Sequence, residues 1–119
     1  MSTPMEIVED RVDDVTILRL KGRLELDDGD IVLRDHVHGL VAEGRVNVVL
    51  DMTDVTRMDS AGIGMLVAKY MTVKNRGGML RLLNLTDRTS RLLHVTRLET
   101  VFEIFDREDA VLMSFRNKG

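Results

Sequence analysis

The sequence contains no cysteine, which excludes disulfides, thiolate metal sites and cysteine nucleophiles and fits a reducing compartment. It has no tryptophan, one tyrosine and three phenylalanines, too little aromatic surface to stack the bases of a single-stranded nucleic acid. Neither sign of charge dominates. Seventeen Lys and Arg against 20 Asp and Glu leave a net charge of −3, which argues against a direct nucleic-acid partner and against a polybasic membrane binder. No run of about 18 apolar residues occurs, so no membrane-crossing helix is expected. Met1–Asp10 carries Glu6, Glu9 and Asp10 and lacks the apolar stretch of a secretory signal. The expected location is the cytoplasm. The one proline, Pro4, falls in a terminus expected to fray over residues 1–4.

What is present is an ordinary globular composition, 119 residues with 44% hydrophobic and 31% charged. That length suits one domain with a radius of gyration of roughly 13–14 Å. With so few aromatics, the core has to be built from Leu, Val, Ile and the eight Met residues.

The hydrophobic pattern predicts strands over Met5–Asp10 and Val15–Lys21, with Gly22-Arg23-Leu24 as a bend or bulge. Asp27-Asp28-Gly29-Asp30 is a turn, and Leu33, Val37, Leu40 and Val41 place a helix over Asp30–Glu43, stopped by Gly44. Val46–Met52 is a continuous β-branched run suited to a strand covered on both faces. Thr53–Asp59 is polar and predicts a loop. A helix follows from Ser60 to about Arg76-Gly77-Gly78, then a strand over Met79–Asn84. Asp87 is placed as the cap of a further helix, Val101–Phe105 as the last strand, and Asp106 as the cap of a final helix to about Phe115, with Arg116 and Lys118 at its end. Alternation of this kind predicts an α/β fold, a mixed and mostly parallel sheet of four to five strands with about four helices, in one domain over 1–119.

The informative segment is Asp51–Gly64, DMTDVTRMDSAGIG. A buried strand ends on an acid, a short polar stretch follows, and a serine stands where a helix begins with two glycines in its first turn. Each helical glycine costs about 1 kcal/mol against alanine, so Gly62 and Gly64 call for close approach, either of a partner or of the chain's own sheet. Ser60 has two readings from its position alone, an N-cap or a modification site. Unpaired first-turn N–H groups tolerate an anion, so a phosphate there has a place to sit. A phosphate would also add about −1.5 to −2 of charge beside Asp51, Asp54 and Asp59, with Arg57 the one base of the segment.

These pieces resemble a STAS-domain protein of the bacterial anti-sigma factor antagonist kind. The resemblance rests on the strand VNVVLDM, the segment TDVTRMDSAGIG, the helix MLVAKYMTVKNRGG, the strand MLRLLN and the later RLETVFEIF, and it covers nearly the whole chain. It implies that Ser60 is phosphorylated by an anti-sigma factor that is itself a serine kinase. It further implies that only the unphosphorylated antagonist binds that kinase and frees the sigma factor, and that a serine phosphatase resets the switch. The docking surface it implies comprises Thr53, Asp54, Val55, Thr56, Arg57, Met58, Asp59, Ser60, Ala61, Gly62 and Gly64. Asp59 is assigned to hold the loop or orient the serine, and Asp51 to cap backbone N–H groups of the loop. On this reading the chain is not an enzyme and needs no cofactor. The alternative is a non-switch STAS subunit of a signalling assembly or of a lipid-transport ABC system. The oligomeric state stays open.

Other chemistry finds less support. His36 and His38 lie two apart on different faces of a helix and His94 is distant in sequence, so no zinc set forms. A serine hydrolase would need G-x-S-x-G where the chain has D-S-A-G. Gly62-Ile63-Gly64 lacks the third glycine of a dinucleotide loop. Thr89 and Ser90 suit helix capping better than a second phosphorylation. Met58 is a candidate adaptable contact, the other methionines near the segment core filler.

Overall fold

The computed structural model describes residues 5–116, so the frayed terminus expected over 1–4 and the position of Lys118 lie outside the described residues. Five strands form one sheet in the order β1-β2-β3-β4-β5. β1 (Met5–Val12) and β2 (Val15–Leu24) form an antiparallel hairpin. β3 (Asn47–Met58), β4 (Met79–Leu83) and β5 (Ile104–Phe105) each add in parallel. The helices between them are α1 (Gly29–Ala42), α2 (Ser60–Lys74), α3 (Asp87–Val95) and α4 (Glu108–Arg116). The mixed sheet and four helices match the expected class, and the radius of gyration is 13.2 Å.

The two faces of the sheet are covered unequally. On one face Leu33, Val37 and Leu40 of α1, Leu66 and Val73 of α2 and Leu93 of α3 pack on Leu18, Leu20, Val48, Leu50, Met52, Leu80 and Leu82. On the other, Val111 and Phe115 of α4 cover Val15, Ile17, Val49 and Leu83. Alternate residues of β3 and β4 thus enter opposite cores, which is why VNVVLDM is apolar throughout. Arg81 is the exception on β4, buried yet paired with Glu103 at 3.0 Å and stacked on the Phe115 ring.

Four expectations need correction. Thr53–Met58 is no loop; β3 runs on through Met58, paired with the end of β2 across register shifts at Arg19/Lys21 and Gly22/Arg23. Here strand alternation survives through Val55 alone, buried at 2% exposure, while Thr53, Asp54, Thr56 and Arg57 are exposed. The strand expected over Val101–Phe105 shrinks to two residues, because Leu98–Thr100 closes a 3₁₀ turn and Phe102 enters the main core from the loop after it. The cap of α3 is Thr86, whose hydroxyl accepts from the Thr89 backbone N–H, and not Asp87. α4 begins at Glu108, two residues after Asp106. Gly22 does mark the bulge, at φ +126°.

Candidate functional site

The site forms where β3 hands the chain to α2. Asp51, at the rim of the core, accepts from the Thr53 backbone N–H at 3.1 Å and the Thr53 hydroxyl at 2.6 Å, and pairs with Arg19 at 3.0 Å. The backbone-capping role assigned to it holds, and the extended course of Thr53–Met58 starts from this anchor.

The N-cap of α2 is Asp59, not Ser60. Asp59 has extended backbone angles and its Oδ1 accepts from the Gly62 N–H at 2.9 Å. Its Oδ2 accepts from the Leu26 N–H at 3.1 Å, and its own N–H donates to the Leu24 carbonyl. One carboxylate therefore ties the helix start to the loop between β2 and α1. Hydrogen bonds from Gly62 and then Leu26 hold the Asp59 carboxyl below the usual aspartate range, so it is ionised at neutral pH. The loop that Asp59 was expected to hold is strand, and the loop it does hold is the one between β2 and α1. Ser60 is left as the first helical residue, exposed, with its hydroxyl not used as the cap.

The two glycines part company. A Cβ on Gly62 would overlap the Leu24 carbonyl oxygen and approach Met58 Cγ to 2.9 Å. Gly62 is buried and serves the chain's own packing of α2 on β2. A Cβ on Gly64 would meet nothing within 4 Å, and Gly64 is exposed. No internal contact requires it. At about 100° per residue, Ser60, Gly64 and Met71 share the exposed outward ridge of α2, with Val67 between them half-buried against the main core, while Gly62, Leu66, Lys69 and Val73 face inward. Met71 is 48% exposed, and no charged residue stands on the ridge between Ser60 and Met71.

Of the residues expected at the docking surface, Thr53, Asp54, Thr56, Arg57, Ser60 and Gly64 are exposed, and Met58, Asp59 and Ala61 are half-buried. Val55 and Gly62 are buried in the chain's own core and present no side chain there.

Two neighbours were not legible. Leu26, 64% exposed, is held against the helix start through Asp59. Met58, Leu92 and Val95, with Arg88 and Arg91, line a groove of about 510 Å³ between β3 and α3. Val95 is 72% exposed. Leu26 lies 33 residues before Asp59 and Val95 37 after Met58, so no local pattern signals either. The one available hint was a lone apolar residue in the polar run Glu25–Asp28.

His36 bonds Glu9 at 2.8 Å and His38 bonds Lys69 at 2.5 Å. No group of three or more His, Cys, Asp or Glu able to hold a metal occurs among the described residues. Thr89 is buried and bonded to Thr86, whereas Ser90 is exposed. No helix among the described residues is long and apolar enough to cross a membrane.

Comparison with known proteins follows the same outline. Residues 6–111 match the STAS domain family. An anti-sigma-B factor antagonist of Bacillus subtilis is 37% identical over 73 residues, 61% of this chain and 66% of that protein. An anti-sigma F factor antagonist of Paenibacillus polymyxa is 27% identical over 94 residues, 79% and 80% of the two chains. The crystal structure of an anti-sigma factor antagonist from Mycobacterium paratuberculosis has a TM-score of 0.80 at 23% identity, covering 95% of each chain. The anti-sigma factor antagonist SpoIIAA, solved in unphosphorylated and phosphorylated forms, has a TM-score of 0.72 at 16% identity in both, covering 94% and 92% of this chain and 99% of each SpoIIAA chain. The two structural likenesses establish the fold, and the family match spans both the sheet and the β3–α2 junction. The chain belongs to the STAS domain family, and anti-sigma factor antagonists are among its relatives.

Proposed function

We propose that this chain is an anti-sigma factor antagonist that works as a switch, binding an anti-sigma factor serine kinase while Ser60 is unmodified and releasing it once Ser60 carries phosphate. The observation that carries this reading is the division of labour at the start of α2. Asp59 takes the cap, so the Ser60 hydroxyl is spared for chemistry on the exposed surface. The chain supplies the acceptor oxygen; the kinase supplies ATP and catalysis.

The same geometry supports release on phosphorylation. The Asp59 carboxylate already occupies the mouth of the helix and holds the Gly62 N–H. A phosphate on Ser60 therefore meets an ionised neighbour instead of a vacant anion site. Its charge of about −1.5 to −2 is displayed on the uncharged α2 ridge, where a docked partner would have to desolvate it. Release is the natural consequence. Leu26 on one side and the Met58–Leu92–Val95 groove on the other widen the docking face beyond the segment Thr53–Gly64. A serine phosphatase completes the cycle by restoring the hydroxyl.

The test is phosphoryl transfer from labelled ATP by a purified anti-sigma factor kinase, with the modified residue mapped by mass spectrometry. Label on Ser60, absent from Ser60→Ala although that variant still binds, supports the switch. Binding to a large assembly or a transporter ATPase that is indifferent to Ser60→Asp would instead make the chain a fixed STAS subunit.

A further inference from the structure

The inward face of α2 carries a residue that the switch does not use. Lys69 is 6% exposed. Its Nζ lies 2.5 Å from Nε2 of His38 on α1. The ammonium has three N–H donors, this contact uses one, and Lys69 forms no ion pair among the described residues. Arg34 stands four residues before His38, hence on the same face of α1. Its Nε and Nη2 both donate to Oδ1 of Asp35 at 3.1 Å, which leaves Nη1 without that partner. Burial, and then the Arg34 charge, hold the Lys69 amine below the usual lysine range.

The charges around this point do not balance. α1 brings Arg34, His38 and the exposed Asp35, whose bonded oxygen is already on Arg34. α2 brings Lys69 alone. Glu9 of β1 is engaged by His36 at 2.8 Å, and Lys74 lies over the Tyr70 ring. A buried ammonium without a carboxylate costs stability, and residues that break a local rule in this way mark functional places. Methionine would fill the same volume without that cost.

We propose that Lys69, His38 and Arg34 form a site for a tetrahedral oxyanion, with phosphate its simplest member, at the contact between α1 and α2. The donors come from two separate helices, which suits four oxygens arranged in three dimensions better than a planar carboxylate. Lys69 gives its unspent ammonium donors and Arg34 its Nη1, while His38, through Nε2, holds the ammonium in place. Phosphoserine at position 60 is not the ligand. Nine residues along α2 carry Lys69 about 13 Å down the axis and to its opposite side. The site is thus separate from the docking ridge, and it stands or falls independently of the switch.

The experiment is an amide ¹H–¹⁵N titration of the full chain with potassium phosphate at pH 6, against potassium chloride and potassium acetate at matched ionic strength. Saturable shifts confined to residues 34–39 and 69–73, seen with phosphate and not with chloride, are the expected result. Lys69→Met should raise the apparent Kd at least ~10-fold, and Lys69→Arg should retain binding. Because Lys69→Met removes a buried cation, its melting temperature should not fall below that of the parent, which keeps the comparison valid. Absence of saturable shifts, reproduction by chloride, or an unchanged response in Lys69→Met overturns the site. An equal response to acetate overturns the tetrahedral assignment.

Discussion

Gly62 and Gly64 stand two residues apart on one helix and lack a side chain for opposite reasons. The inward glycine is required by this molecule, because a Cβ would overlap the Leu24 carbonyl oxygen. The outward one is not, because a Cβ there would touch nothing within 4 Å. A glycine in an exposed helix costs about 1 kcal/mol against alanine, so the fold alone gives no reason to keep Gly64. The contrast extends along α2. Its inner face, Gly62, Leu66 and Val73, is committed to the chain's own structure, while Ser60, Gly64 and Met71 lie exposed on a ridge left uncovered. The first helical turn is thus half committed to the fold and half left exposed, and the proposed docking surface uses the exposed half.

The contrast can be broken most forcefully at Gly62. Gly62→Ala should lower the unfolding free energy by about 3 kcal/mol, since backbone and not a flexible side chain opposes the methyl, and urea denaturation reads this directly. A variant that folds as stably as the parent would contradict the packing role. Next come two surface changes, Gly64→Leu and Leu26→Asp. Each should leave the denaturation midpoint nearly unchanged and weaken kinase binding at least ~10-fold, or about 1.4 kcal/mol, by surface plasmon resonance. Gly64→Ala should raise stability by about 0.5–1 kcal/mol, the opposite sign to its neighbour.

The smallest expected effect concerns Asp59. Its folded pKa is depressed by the N–H groups of Gly62 and Leu26, so its contribution is present above the unfolded aspartate value near ~4. That contribution is lost as pH falls through the lower folded value. The melting temperature of the parent should therefore decline more steeply than that of Asp59→Asn on acidification below about pH 5. Parallel curves would mean that the carboxylate adds nothing beyond the neutral amide.

Much of this was legible in the residues because the signals were local. VTILRLK, VNVVLDM and MLRLL announce strands, Leu33, Val37 and Leu40 announce α1, and the DSAGIG motif points to the β3–α2 junction. The failures have physical causes. The second half of β3 carries one inward apolar residue, Val55, and owes its strand character to β2 across two register shifts, which no window of sequence displays. β5 was overextended because Phe102 is core without being strand. Asp59 and Ser60 are both good cap residues, and only the backbone decides between neighbours. The meeting of His38 with Lys69, like that of Leu26 with Asp59, joins elements more than thirty residues apart.

The most direct test of the central claim is a calorimetric titration of the anti-sigma factor kinase with the antagonist, unmodified and phosphorylated on Ser60, each shown to have the same melting temperature. Loss of affinity by about 100-fold or more on phosphorylation, without loss of fold, is the predicted result. Equal affinity of the two forms would contradict the account.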